Sequence, residues 1–127
     1  MQMLRIVAVL VWVVASPIFT PVTTDSVWAS GQHVPRLIDV KYRPTPVDVA
    51  DPRFEYLDTS GSSLVTDAWY DESNSYMVIG LYEVYYHYCQ MPGEAWESFR
   101  SADSFGRHYI QSIRGRYDCR LGGVPEY

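Results

Sequence analysis

Two cysteines and three histidines hold most of the reactive chemistry in these 127 residues. His87 and Cys89 stand two positions apart, and His108 and Cys119 follow downstream. A thiol becomes a nucleophile when a histidine within hydrogen-bond reach lowers its pKa and a third group orients the base. The same four side chains offer nitrogen and sulfur ligands of the kind zinc accepts. Spacing argues against both uses. Residues two apart on a strand share a face but lie about 7 Å apart along it, which is awkward for direct proton transfer. No Cys-x-x-Cys or His-x-x-x-His spacing supports a metal site. Asp67 with Asp71, and Glu94 with Glu97, are better explained as turn and helix-start residues than as convergent acid–base pairs. No catalytic residue, metal or cofactor is expected.

The element that positions His87 is the run Tyr85-Tyr86-His87-Tyr88-Cys89, which ends shortly before Pro92. As a strand it places Val84, Tyr86 and Tyr88 on one face and Tyr85, His87 and Cys89 on the other. Two strands precede it. Ser62 to Tyr70 is β-branched and aromatic, Asp71 to Ser75 is a polar turn, and Tyr76 to Leu81 alternates with Met77, Ile79 and Leu81 sharing a face. Tyr82-Glu83 must then reverse the chain without the usual glycine. Pro92 suits the first turn of a helix, which runs to about Ala102 and presents Trp96 and Phe99 at i, i+3. Ser104 caps a second helix, where Tyr109, Ile110, Ile113 and Tyr117 recur at helical spacing and Gly115 marks the end. The expected class is α+β: a three-stranded antiparallel sheet followed by two helices packed on one face, in the order β-β-β-α-α.

The first thirty residues read as an export signal. Arg5 supplies a positive start, Ile6 to Ala15 are continuously apolar, and Pro17 and Pro21 precede small residues, with cleavage expected before Ser30. The apolar run is shorter than the ~20 residues that span a bilayer, so a membrane anchor is not expected. Removing residues 1–29 takes away Arg5 and Asp25, one charge of each sign, and leaves the net charge at −5. That balance excludes a general polyanion binder. Between 100 and 120, however, Arg100, Arg107, Arg114, Arg116 and Arg120 face only Asp103 and Asp118. Residues 30–57 contain Pro35, Pro44, Pro46 and Pro52, which reads as an extended arm with at most one edge strand. Residues 58–119 form the folded domain in this reading, and 120–127 a tail.

The order Ser-Ser, Tyr-Asp, alternating strand, Tyr-x-Tyr, x-Pro, Ala-x-Ser-x-Gly and Ile-Arg-x-x-Tyr resembles the KTSC domain, a small domain found at the C-terminus of some lysyl-tRNA synthetases. The matching residues are Ser62, Ser63, Tyr70 and Asp71, then Met77, Ile79 and Leu81, then Tyr86, Tyr88 and Pro92. Ala102, Ser104, Gly106, Ile113, Arg114 and Tyr117 complete the series. The resemblance covers about residues 58–118. This chain departs from the pattern in its short second turn, in Met91 before the proline, and in Phe105 where a lysine is common. The resemblance implies no established activity and a suggestion of RNA binding. In the implied fold both cysteines end elements of one small body. With export to an oxidising compartment, that arrangement favours a Cys89–Cys119 disulfide, worth roughly 3–4 kcal/mol in the chain-entropy model. Free thiols and a metal site are the alternatives.

Tyr86, Tyr88, Trp96, Phe99, Tyr109 and Tyr117 are expected in the core, with hydroxyl groups seeking partners. The uncovered sheet face would show Tyr85 and His87, and also Tyr76. Arg107, Arg114 and Arg116 would supply contacts to phosphate or carboxylate. The expected function is a non-catalytic, exported interaction module, periplasmic or extracellular, whose partner is a protein or envelope component. A nucleic-acid module using the arginine-bearing last helix is the alternative. Membrane contact is expected only through the signal peptide before cleavage.

Overall fold

Alternation of side chains along two adjacent strands creates two apolar faces, and each face has found its own cover. The computed structural model describes residues 13–18 and 31–127. Apart from 13–18, which are exposed and without regular structure, the expected signal peptide lies outside the described residues. No helix among the described residues is long and apolar enough to cross a membrane. The chain divides into two units, Met1–Gly31 and Gln32–Tyr127. The second unit contains all the strands and helices described below.

Strands β1 (Leu37–Ile38) and β2 (Val47–Asp48) pair as an antiparallel hairpin. Strands β3 (Phe54–Leu57), β4 (Val65–Asp71), β5 (Tyr76–Leu81) and β6 (Val84–Tyr88) form an antiparallel sheet in that order. Helix α1 spans Gly93–Arg100, and α2 (Phe105–His108) continues into a π-turn over Tyr109–Ile113. A 3₁₀ turn occupies Cys119–Leu121. The class is α+β as expected, but the sheet has four strands rather than three. The extra strand comes from the stretch read as an arm: β3 pairs Phe54 to Leu57 against Asp71 to Ala68. Prolines confine themselves to the turns before it, so they do not break the ladder.

The helix-side core contains Ala68, Tyr70, Met77, Ile79, Met91, Trp96, Phe99, Tyr109 and Ile113, with Leu81, Tyr86 and Tyr88 packed against it. Trp96 stacks on Tyr70 at 5.1 Å between centroids, and the Tyr70 hydroxyl donates to the Met91 carbonyl at 2.8 Å. Pro92 is the extended residue just before α1 rather than part of its first turn; its carbonyl accepts from the Ala95 and Trp96 amides, and the helix ends at Arg100 rather than near Ala102. Ser104 caps α2 by accepting from the Arg107 amide. The helix does not stay α-helical to Gly115, because Arg114 N donates to Tyr109 O in the i→i+5 pattern of a π-turn. Tyr109 and Ile113 remain buried, while Ile110, expected on the same stripe, is 52% exposed.

The other sheet face carries Trp69, Tyr76, Val78 and Cys89, and it is covered by Val40, Val47 and Val49 of the hairpin region. The expected uncovered face therefore does not exist. Residues 37–49 pack across it because Trp69, Tyr76 and Val78 present apolar surface that would otherwise meet water. Tyr76 is fully buried rather than available for stacking. Gly80 lies where the β4–β5 register shifts between Val65 and Asp67. A Cβ there would collide with Thr66 Oγ1 and stand 3.1 Å from the Tyr85 ring, so the close approach requires glycine. Tyr82 and Glu83 make the two-residue turn with φ of +49° and +66°, the conformation that hairpin twist demands and that glycine usually supplies.

Candidate functional site

Strand β6 is an edge of the sheet, and its residues meet a cleft of about 600 Å³. The floor comes from Tyr86, His87 and Tyr88, one wall from Gly115, Arg116, Asp118, Cys119 and Arg120, and the rim from Tyr42 and Val124. Three separate segments thus build it. The first is anchored to β6 by a parallel bridge between Val40 and Tyr85, with Lys41 N donating to Tyr85 O at 2.8 Å. The second is anchored by Cys89 N donating to Tyr117 O at 2.9 Å and by the Cys89–Cys119 disulfide. Tyr117 takes φ +55° to turn the chain back toward β6.

The electrostatics of the cleft are uneven. Asp118 pairs with Arg120 and accepts from its backbone amide at 2.8 Å; the Arg120 side chain comes first among the causes holding that carboxyl below its usual range. Among the described residues Arg116 and Lys41 have no ion-pair partner. Lys41 Nζ lies 5.2 Å from the Tyr42 ring centre and 5.5 Å from that of Tyr86, in the range of cation–π contact. Arg116 and Arg120 therefore line the cleft with Tyr42, Tyr86 and Tyr88, Lys41 stands beside two of those rings, and Asp118 is the one lining carboxylate. Burial, and then the positive charge of Arg43, lower the His87 pKa from its usual value. His87 Nδ1 lies 3.0 Å from the Tyr76 hydroxyl.

The residues singled out from the sequence disperse over the molecule. Tyr85 is half-buried, with its ring 6.0 Å from Trp69 and its hydroxyl donating to Asp67 at 3.2 Å. It is part of the hairpin-side packing, not a free surface. Tyr86 and Tyr88 lie on the helix side, where the Tyr88 and Tyr109 hydroxyls are 2.6 Å apart. Burial first, then that hydroxyl, raise the Tyr88 pKa. Arg116 lines the β6 cleft. Arg107 lines a different cleft of about 630 Å³, with Ser62, Ser63, Ser104, Gly106 and exposed Tyr82. Arg114 is exposed and lines neither. Arg107, Arg114 and Arg116 therefore do not line one common cleft. His108 packs near Phe99 at 6.0 Å on the helix side, away from the disulfide.

Sequence reasoning missed Lys41 and Tyr42, and counted Asp118 and Arg120 only in the charge balance of the C-terminal third. No periodic signal marks 41–42, because the segment makes only a single bridge and no strand. It also missed that the last three residues return to the fold. The Tyr127 ring lies 4.5 Å from Phe54 and 5.5 Å from Tyr76, and Arg43 donates to the Pro125 carbonyl at 2.8 Å.

Gly106 explains one motif position, since a Cβ there would sit 3.2 Å from Leu64 Cβ. A search of curated proteins finds no match to the chain. The family model described as the KTSC domain matches residues 61–117, from the loop before β4 to the residue whose carbonyl holds Cys89. With β4 to β6, α1, α2 and the π-turn all inside those bounds, residues 61–117 of this chain are a KTSC domain.

Proposed function

We propose that the mature chain is an exported, non-catalytic interaction module that binds an acidic segment of a protein partner in the β6 cleft. The observation that carries this reading is the excess of Lys41, Arg116 and Arg120 over Asp118 around the rings of Tyr42, Tyr86 and Tyr88. Tyrosine and arginine are the side chains that dominate binding energy at protein interfaces, where a large ring and a planar cation each anchor a partner at small entropic cost. Two features support a non-catalytic role. Cys89 and Cys119 are the only cysteines and are joined to each other, and His87 is turned to Tyr76 rather than to a nucleophile. The reading of Ile6 to Ala15 as a signal peptide supports export.

A second reading, single-stranded nucleic acid, is favoured by one observation: Tyr42 is 79% exposed beside Lys41, a pair able to stack on a base and hold its phosphate. A labelled polyglutamate peptide and an oligoribonucleotide of equal charge separate the two. The expected result is tighter binding of the peptide, weakened about tenfold by Arg116→Ala, roughly the loss of one interface anchor. Arg107→Ala, in the other cleft, leaves it unchanged. Preference for the oligoribonucleotide, abolished by Tyr42→Ala, would install the second reading. Absence of binding to either probe at low salt, where phosphate and carboxylate contacts are strongest, rejects both.

A further inference from the structure

His87, Cys89 and Cys119 each offer a ligand atom, and these atoms lie within 4.8 Å of one another. Zinc bonds of ~2.0–2.3 Å in tetrahedral geometry place ligand atoms about 3.5–3.8 Å apart, so small side-chain rotations would suffice. In the structure the two sulfurs are bonded to each other and cannot ligate. We propose that reduction of this disulfide converts the corner into a three-ligand site for a thiophilic ion of the zinc type, with one coordination position open to the cleft.

Three features argue that the ligands stay together when the sulfur–sulfur bond is gone. His87 and Cys89 share one face of β6 through its period of two, which the pairing of His87 with Val78 holds in register. The Cys119 loop is held beside that strand by a backbone bond, Cys89 N to Tyr117 O at 2.9 Å, which reduction leaves intact. The imidazole is oriented from outside the cluster by the Tyr76 hydroxyl, 3.0 Å from Nδ1, in the manner of the outer partners that fix metal-binding histidines. His87 and Cys119 also line the cleft, which provides the ion with a path in. Nearby Arg116 and Arg120 repel a cation, but two thiolates more than offset one divalent ion's approach. Two sulfurs and one imidazole select zinc or a similar soft ion over magnesium or calcium, which take oxygen ligands.

A dithiol reductant loses two electrons and two protons and closes to its own disulfide, while Cys89 and Cys119 each become a thiol. Zinc then displaces both thiol protons and binds the sulfurs as thiolates. The site is therefore absent while the chain is oxidised, and an oxidising compartment keeps it closed. The inference is independent of what occupies the cleft, since it concerns the reduced chain alone.

The test reduces the purified chain anaerobically with a phosphine, which takes oxygen from water as it is oxidised, and titrates Zn²⁺ against a chromogenic chelator. One equivalent should bind to reduced protein and none to oxidised protein. Co²⁺ in its place should show thiolate-to-metal charge-transfer absorption. His87→Ala should weaken zinc at least tenfold, and the double variant Cys89→Ser, Cys119→Ser should abolish binding. Failure of the reduced chain to bind zinc overturns the proposal. So does undiminished affinity in His87→Ala, which would mean that two thiols of a loosened chain capture the ion without the built corner. Circular dichroism with and without zinc accompanies both. A reduced chain that loosens but refolds with zinc only when His87 is present supports the site.

Discussion

Asp71 is fully buried, yet it is charged and stable because its oxygens are surrounded by donors. It accepts from the Ser73 amide at 2.9 Å, the Ser73 hydroxyl, Asn74 Nδ2 at 2.7 Å and the Tyr127 hydroxyl at 2.7 Å. Burial is the largest influence and raises its pKa, but the bonds from Ser73, Tyr127 and Asn74 together outweigh it and hold the carboxyl below its ordinary 3.8. A lowered folded-state pKa contributes stability that is complete above the unfolded value and is lost as pH falls through the folded one. Asp71→Asn should therefore cost about 1–3 kcal/mol at neutral pH, the range for disrupting a buried hydrogen-bonded group. Urea midpoints measured from pH 7 down to pH 2 should show the difference between variant and parent shrinking below pH 4. An equal difference at every pH would mean that the charge is not what the donors stabilise. The turn role of Asp71 was legible, since aspartate bonds nearby amides. Its bond to Tyr127 was not, because nothing local links side chains so far apart in the chain.

At the scale of elements, the β1–β2 hairpin and β3 decide the architecture. Two-residue strands show no period, and Pro35, Pro44, Pro46 and Pro52 dilute what apolar pattern there is, so 30–57 reads as an arm. Burial settles the matter: Val47 is fully buried and Val40 and Val49 nearly so, all against Trp69, Tyr76 and Val78. The apolar face of β4 and β5 was legible in the sequence; its cover was not. Val47→Thr keeps the shape but places a hydroxyl between the hairpin and the sheet, at an expected cost of about 1–3 kcal/mol. Leu37→Thr, at a side chain 62% exposed, should stay within about 0.5 kcal/mol. Guanidinium unfolding of both variants checks the contrast, and equal small losses would show that the hairpin lies on the sheet without stabilising it. Helix α1 is tied to the opposite side by Trp96 and Phe99 and at its end by Arg100, which bonds Glu55 of β3 at 2.6 Å.

For the whole molecule, three thin layers share few residues, and a covalent link matters accordingly. The Cys89–Cys119 bond joins β6 to the loop after the π-turn across a separation of 30 residues. Closing a loop of that length should stabilise by roughly 3–4 kcal/mol in the chain-entropy model. The Cys89→Ser, Cys119→Ser protein should show that loss as a lower urea midpoint with little change in slope. A loss under about 0.5 kcal/mol would indicate that the unfolded chain is already held close there, against the entropic account. Charge is also a property of this scale. The chain carries −5 overall, yet the β6 cleft is locally basic, so weak attraction for polyanions in general and strong attraction at one place are compatible.

The residue order alone determined the alternation of β4 to β6, the two helices with the Ser104 cap of the second, and the KTSC pattern from Ser62 to Tyr117. Each of these is written in neighbours a few positions apart, where backbone periodicity and capping chemistry act. It also placed Cys89 and Cys119 at the ends of elements. Only the tertiary structure decided that the second sheet face is closed by residues 37–49 and that Tyr76 is interior. The same packing separates Arg107 from Arg116. The cleft draws Tyr42, Tyr86 to Tyr88 and Gly115 to Val124 from three segments, and His87 approaches both sulfurs only because β6 and the loop at Cys119 lie side by side. Those meetings depend on which apolar faces cover one another, an energy summed over the whole core and written in no single stretch of sequence.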